Sequence, residues 1–406
     1  MTKDIQQYLI VTGNYWAFTL TDGALRMLVV LYFHQLGYSP LNIALLFLFY
    51  EVFGVITNLV GGWLGARFGL NKTMNVGLVL QIVALLMLAA PSEWLTVIYV
   101  MAAQALSGIA KDLNKMSAKS SIKMLVAQGQ DSQLFKWVAL LTGSKNALKG
   151  VGFFLGGLLL TTLGFKAAVL IMALALLLVW VFSLYALTGD LGKANHKPKF
   201  SQVFSKSRAI NILSAARMFL FAARDVWFVV ALPVFLATTL GWNHWWVGGF
   251  LALWIIGYGA IQSVAPQLLK RFTEKYSYHL TTTVLAAVLA LIPLTIAIAL
   301  QSSLAIVLSV VCGLVIFGIV FALNSSWHSF LIVRYASDDG VSMDVGFYYM
   351  ANALGRLLGT VLSGGIYQLY GLAACLIVSF CFLLIAAAIS AFLPRKIETC
   401  ENKMLT

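Results

Sequence analysis

About twelve apolar stretches, each long enough to cross a lipid bilayer, follow one another along this chain of 406 residues. Roughly 20 apolar residues in a helix span a hydrocarbon core, and inside that core a chain must satisfy its own backbone hydrogen bonds. The stretches lie near 8–33, 40–66, 72–90, 94–118, 133–161, 166–188, 209–237, 245–269, 278–300, 303–333, 343–369 and 371–393. The expected fold is therefore all-α integral membrane, with twelve transmembrane helices. Composition agrees: 61% of the residues are hydrophobic and 10% charged, whereas soluble domains are about half apolar and a quarter charged.

The net charge of +13 would suggest nucleic acid in a soluble chain. Here alternate loops account for it. One set holds Arg67 and Lys72; Lys119, Lys123 and Lys136; Lys193, Lys197, Lys199, Lys206 and Arg208; Lys270, Arg271 and Lys275; Arg395 and Lys396. Of basic residues the other set holds only Lys166. Cytoplasmic loops carry the excess of Lys and Arg, so both termini are expected in the cytoplasm, with the lipid bilayer as partner and no nucleic acid. The N-terminus has Lys3 against Asp4 and no small-residue cleavage site, so the first stretch reads as a retained helix. The cysteines, Cys312, Cys375, Cys381 and Cys400, form no CxxC pair and no disulfide framework.

The longest polar stretch divides the chain into an N-terminal six-helix bundle (1–188), a cytoplasmic linker (189–208) and a C-terminal six-helix bundle (209–406). The halves resemble repeats. GIAKDLN at 108–114 parallels GIVFALN at 318–324, and LGARF at 64–68 parallels LLKRF at 268–272. NAL at 146–148 before Gly156-Gly157 parallels NAL at 352–354 before Gly364-Gly365, and Asp22 falls opposite Asp225. Two pseudo-symmetric bundles around a midplane site is the architecture of secondary transporters.

Such a chain should carry its family mark between helices two and three. Gly62-Trp-Leu-Gly-Ala-Arg67-Phe-Gly69-Leu-Asn-Lys72 resembles the gating loop of the major facilitator superfamily. Gly62, Arg67, Gly69 and Lys72 fit; Ala66 stands where an acid is usual, so the usual charge lock is not expected in its usual form. Gly152-Phe-Phe-Leu-Gly156-Gly157 resembles an antiporter motif with Phe153 in place of Pro, and close helix packing at small residues explains it equally.

Charged side chains in the middle of these helices identify the candidate site. A lone charge at the bilayer centre costs roughly 2.5–3.5 kcal/mol on insertion scales, so it persists mainly beside a cavity or pathway. If helices one, four, seven and ten line the cavity, helix one offers Asn14, Thr19, Asp22 and Arg26, and helix four Gln104, Ser107, Lys111, Asp112 and Lys115. Helix seven offers Arg217, Arg224 and Asp225; helix ten offers Asn324, Ser325 and His328. Helices five and eleven add Lys145, Asn146, Lys149, Asn352 and Arg356, and helix two adds Glu51. Bases outnumber the acids Asp22, Glu51, Asp112 and Asp225. A cationic cavity concentrates anions, and Arg grips oxyanions with two parallel hydrogen bonds. An anionic substrate is expected.

Blander readings stand beside this one. Asp22 and Arg26, four residues apart, can simply neutralise each other. Lys111, Lys115, Lys119 and Lys123 form one stripe, whose last two members snorkelling at the cytoplasmic mouth explains. Lys145 and Lys149 lie too deep to snorkel. Protons are the candidate coupling ion, and Glu51, without a neighbouring base in sequence, is the expected carrier.

Three blocks are more specific. YWAFTLTDGALRMLVV at 15–30, YEVFGVITNLVGGWLGARFGLNK at 50–72 and ALSGIAKDLNKMSAKSSIK at 105–123 resemble the ArsJ family of organoarsenical efflux permeases of the bacterial inner membrane. The resemblance implies export of 1-arseno-3-phosphoglycerate, which glyceraldehyde-3-phosphate dehydrogenase makes from arsenate, and hence arsenate resistance through functional pairing with that enzyme. On that reading Arg26, Lys145 and Lys149 form one cationic cluster and Arg224 with Arg356 a second, one for each end of the ester. A carrier of another organophosphate or organic anion is the rival. No HExxH or GxSxG constellation for an enzyme, no metal site and no cofactor motif is present in the sequence.

Overall fold

The computed structural model describes residues 3–394 apart from 39–45, 125, 127–128, 188–191, 195–197, 205, 243 and 303–305. The expected boundary at 188/189 lies outside the described residues, as do Lys197, Arg395, Lys396 and Cys400. Among the described residues all regular structure is helical.

The helices follow the apolar stretches. They are α1 (Lys3–Gln35), α2 (Leu48–Phe68), α3 (Leu70–Leu88), α4 (Val97–Lys123), α5 and α6 (131–163 and 165–186), and α7 (Arg208–Thr238, interrupted by a turn at 229–230). The second set continues with α8 (His244–Lys275), α9 (Tyr278–Gln301), α10 (Ile306–Tyr335), α11 and α12 (341–370 and 372–390). Each crosses back on the last, so the basic loops share one end, called here the basic end. At the far end α5 turns into α6 at Gly164 (φ 76°) and α11 into α12 at Gly371 (φ 74°). Only glycine takes that conformation at no steric cost, so a single residue reverses the chain direction. All the spans except α4 are apolar enough to be read as such by hydropathy. The lysine stripe and Asp112 disqualify α4, which nevertheless packs inside the bundle against α2 and α3.

Large apolar side chains such as Phe154, Leu178, Leu253, Leu308 and Val361 stand exposed on the outside. A soluble protein would bury a continuous apolar surface of that kind; here lipid covers it. Polar residues turn inward, including Asn14, Gln104, Asp112, Arg217, Asp225 and His328, all buried.

The repeat is written in the helix crossings. α1 crosses α5, and α7 crosses α11, where glycines bring backbones together. A Cβ on Gly152 would stand 2.6 Å from the Leu20 carbonyl oxygen and one on Gly156 3.0 Å from the Ala24 Cα. In the other half, a Cβ on Gly355 would stand 2.9 Å from the Met218 Cα and one on Gly359 2.6 Å from the Ala222 carbonyl oxygen. The six-helix halves are thus built alike, and Gly152 and Gly156 serve close packing.

These crossings correct the sequence register. The shift that carries Leu20 onto Met218 and Ala24 onto Ala222 carries Arg26 onto Arg224, and Asp22 onto Leu220 rather than Asp225. The matching shift in the other pair sets Lys149, not Asn146, against Asn352. The two NAL triplets, three common residues each, had suggested a false alignment.

The halves meet along α5/α8 and α2/α11. Gly259 and Gly143 touch across the first seam, Gly346 and Gly62 across the second, where a Cβ on Gly346 would lie 2.9 Å from the Gly62 Cα. α1 and α7 are not among the packed pairs. At the basic end, Arg334 Nε meets Asp131 Oδ1 at 2.5 Å, Tyr278 donates to Asp131 Oδ2 at 2.6 Å, and Lys123 lies 3.3 Å from Asp338. Each of these contacts joins one half to the other, so the basic end is closed.

Candidate functional site

α1, α2, α7 and α11 carry a continuous line of alternating charge across the centre. Arg26 Nη2 lies 3.3 Å from Glu51 Oε1, and Arg356 Nη2 reaches the same oxygen at 3.2 Å. Arg356 turns its Nε to Asp225 Oδ2 at 3.2 Å, while Arg224 Nε holds Asp225 Oδ1 at 2.5 Å. The line thus runs Arg26, Glu51, Arg356, Asp225, Arg224, and the Glu51–Arg356 link bridges the halves. Side chains of Arg26, Glu51 and Arg356 are 27%, 30% and 33% exposed, so this line of charge is only partly covered by protein.

Three expectations change here. Asp22 is not the hydrogen-bond partner of Arg26: its Oδ1 accepts from the Tyr50 hydroxyl at 2.8 Å, and Arg26 turns to Glu51 instead. Glu51, expected to be an acid without a base, sits between two guanidinium groups contributed by residues far away in sequence. The two cationic clusters are not separate, because Glu51 and Asp225 string Arg26, Arg356 and Arg224 together.

α4 supplies a second group. Lys115 Nζ holds Asp112 Oδ1 at 2.6 Å and Lys111 Nζ lies 3.9 Å from Asp112 Oδ2. The Tyr50 ring is flanked by cations, with Lys111 at 3.8 Å and Arg26 at 4.7 Å from its centroid. An aromatic face attracts a cation by its quadrupole, so Tyr50 holds both while its hydroxyl holds Asp22.

α5 supplies the surplus. Lys145 and Lys149 are half-buried, and neither has a hydrogen-bond or carboxylate partner among the described residues. Arg26, Asp22, Lys145 and Lys111 are electrostatic neighbours of Lys149; Lys119, Lys115, Arg356 and Lys111 are those of Lys145, so only Asp22 offsets this crowd of cations. Burial of an unpaired charge is expensive, and a positioned anion is what would offset it.

The remaining polar candidates are committed elsewhere. Asn324 spends its amide on the Leu285 carbonyl (2.8 Å) and the Val320 carbonyl (3.2 Å), so it ties α10 to α9 rather than facing the cations. Asn146 donates to Gln262 Oε1 at 2.5 Å, a contact between halves. Asn352 accepts from Arg217 Nε at 2.9 Å.

In the gating loop, Gly62 abuts α11 and its carbonyl accepts from the Ser342 hydroxyl at 2.7 Å. Gly69 ends α2 at φ 96° and Arg67 stacks on Trp63 at 5.0 Å. Lys72 lies one turn into α3. Where an acid is usual, the buried Ala66 instead accepts the linker's Ala194 N–H at 2.8 Å. The linker also takes Trp63 Nε1 on the Pro198 carbonyl at 3.0 Å and sets Lys206 on Asp344 at 3.0 Å.

Sequence reasoning missed Tyr50, Tyr349 and Gln262, aromatic or neutral residues that only the fold places among charges. It also misplaced Lys119, which does not snorkel: it is 4% exposed and donates to Thr142 Oγ1 at 3.0 Å and to the Tyr349 hydroxyl across the seam.

Solved structures show the same fold. The chain resembles the human organic anion transporter MFSD10 (TETRAN) with TM-score 0.76 and 14% identity, covering 96% of this chain and 100% of that one. It resembles FucP in the outward conformation with TM-score 0.76 and 12% identity (97% and 100% covered). A bacterial homologue of the iron transporter ferroportin, outward-facing, follows with TM-score 0.72 and 14% identity (96% and 98% covered). No curated protein matches the chain. The sequence itself matches the major facilitator superfamily over residues 11–333, and with the fold and the membrane-centred charges that match settles its family: the chain is a multi-pass membrane protein of the major facilitator superfamily of transporters.

Proposed function

We propose that this transporter exports an organoarsenical anion, 1-arseno-3-phosphoglycerate, from the bacterial cytoplasm by alternating access, and so confers arsenate resistance alongside glyceraldehyde-3-phosphate dehydrogenase. The observation that carries the anionic part is the pair Lys145 and Lys149, two half-buried ammonium groups without an ion pair among the described residues, beside a line of three arginines. Their surplus charge favours an oxyanion at the centre. The arsenical part rests on the sequence blocks at 15–30, 50–72 and 105–123. Units 1–188 and 209–406 are the proposed moving bodies, with both termini in the cytoplasm and the basic end facing it.

Protons are the proposed coupling ion. Glu51 is engaged by two arginines, so we assign the coupling role to Asp22, whose only hydrogen bond among the described residues comes from Tyr50. The test of function is arsenate resistance in a sensitive bacterial host with and without the co-expressed dehydrogenase. Resistance that needs both genes supports the reading; resistance to arsenite alone overturns it. One observation favours the rival, a carrier of a one-headed organophosphate: the arginines form one joined line rather than two separate clusters. Uptake of radiolabelled 3-phosphoglycerate into everted vesicles, against the arsenic ester made in situ, separates the two.

A further inference from the structure

Below the central line, toward the basic end, two buried cations face the seam from opposite halves. Lys119 of α4 is 4% exposed and Arg217 of α7 is 3% exposed. Each other cation with an ion partner in this region has an acid: Lys115 has Asp112, Lys123 has Asp338, Arg334 has Asp131. Lys119 and Arg217 have none among the described residues. Lys119 makes do with the hydroxyls of Thr142 and Tyr349, and Arg217 with Asn352 Oδ1 at 2.9 Å and the Ser325 carbonyl at 3.2 Å.

The charged group nearest to Lys119 in influence is Arg217 itself, so two like charges are buried together. Aromatic rings cushion them: Tyr349 lies 4.8 Å from the Lys119 ammonium, and Phe221 and Tyr348 lie 4.1 and 5.3 Å from the Arg217 guanidinium. Rings attract cations but do not neutralise them. A further donor is left over. The Tyr348 hydroxyl is buried and has no hydrogen bond of good geometry among the described residues. The neighbourhood is rich in donors, and the acid on α4, Asp112, is already held by Lys115, which lies on the same Tyr349 ring.

We propose that Lys119 and Arg217, with the Tyr348 and Tyr349 hydroxyls, form an anion subsite in the seam between the halves that takes a phosphate-like oxyanion. The subsite rests on the reading of an anionic substrate and extends it, since it adds Lys119 and Arg217 to the central cations; Lys145 is an electrostatic neighbour of Lys119, and Lys115 shares its Tyr349 ring. Because one cation comes from each half, an oxyanion seated there draws the halves together at the basic end. When that end opens, the two cations separate and the subsite is dismantled. The anion is therefore held in two stages, at the seam and at the centre, with a different pair of cations at each.

The test is thermal unfolding of the purified full-length protein in detergent against rising arsenate or inorganic phosphate, because a ligand that binds the folded state raises its midpoint with concentration. Wild type should be stabilised. Lys119→Gln should shift the half-effect to at least tenfold higher oxyanion, the loss expected for a charge-assisted hydrogen bond, and Lys149→Gln should leave a stabilisation at the wild-type concentration. Tyr348→Phe, which keeps the ring, should weaken binding severalfold without disturbing folding. A wild-type response that Lys119→Gln and Tyr348→Phe leave unchanged, but Lys149→Gln abolishes, overturns the subsite and spares the anion reading. A wild type that no oxyanion stabilises overturns both.

Discussion

The two halves share a backbone but handle charge in opposite ways. In the second, Arg224 and Arg356 grip the two oxygens of Asp225 at 2.5 and 3.2 Å, so the acid of that half holds its central cations in place. In the first, the residue that the helix crossings match to Arg224 is Arg26, which turns from Asp22 on its own helix to Glu51 on α2. Its companions Lys145 and Lys149 have no ion pair among the described residues, although Asp22 lies within electrostatic reach of Lys149. Duplication thus preserved the helix crossings at Gly152, Gly156, Gly355 and Gly359 while charge was redistributed over them. The second half provides an organised anchor; the first provides the unsatisfied charge that an anion answers.

The substitution that strains this contrast most is Arg356→Ala. It removes the link between Glu51 and Asp225, the one that joins the halves at the centre, and leaves Asp225, which is fully buried, with a single partner. Removal of one partner from a buried charge group costs several kcal/mol, and partial exposure of Arg356 reduces this to about 2 kcal/mol. Transport in vesicles should fall at least about a hundredfold and the thermal midpoint should drop. A variant that keeps wild-type transport would show that the arginine line is scaffolding alone.

Next in size, Lys149→Gln and Arg224→Gln should part company. The first removes a charge nothing else needs, so transport should lose about tenfold to a hundredfold, the worth of one charge-assisted contact, with stability unchanged or improved. The second should lower both transport and stability, because Asp225 loses its shorter contact. Equal thermal midpoints for the two variants would erase the distinction between the halves.

Asp22→Asn keeps an acceptor for the Tyr50 hydroxyl, so it should leave substrate binding within about threefold, a loss under 1 kcal/mol, while removing the stimulation of export by a pH gradient. Stimulation that persists would return the coupling role to another acid. A packing effect rather than a charge effect is expected from Gly62→Ala, whose new methyl would collide with the Ser342 carbonyl oxygen and lie 3.0 Å from Gly346 Cα, both backbone. It should loosen closure at the basic end, seen as faster labelling of a cysteine placed in the α2/α11 seam, at a cost of about 1–3 kcal/mol.

Sequence alone reveals the helices because lipid leaves a spanning chain few choices, and hydropathy reports that constraint directly. The stretch at 94–118 is α4, although its mean hydropathy falls below that of the other spans because that helix lines the polar interior on one side. The cations of the site were also legible, as charges in mid-span are rare. Their partners were not. Glu51 finds Arg356 across 305 positions and Lys119 finds Tyr349 across 230, distances that no local spacing encodes. Asp22 and Arg26, four residues apart, suggested a pair that Tyr50 and Glu51 pre-empt. The lysine stripe of α4 read as a snorkelling edge because four-residue spacing shows which face is shared, not what that face meets.

The linker that replaces the missing acid near Ala66 also sets a length. It is moored to the first half through Ala194 and Pro198 and to the second through Lys206. While both moorings hold, the chain between Pro198 and Lys206 can extend to no more than about 27 Å, at roughly 3.4 Å per residue. The transporter therefore carries its own travel stop: the halves can swing apart at the basic end only until that tether is taut, and any wider opening must first cast off the Lys206–Asp344 mooring.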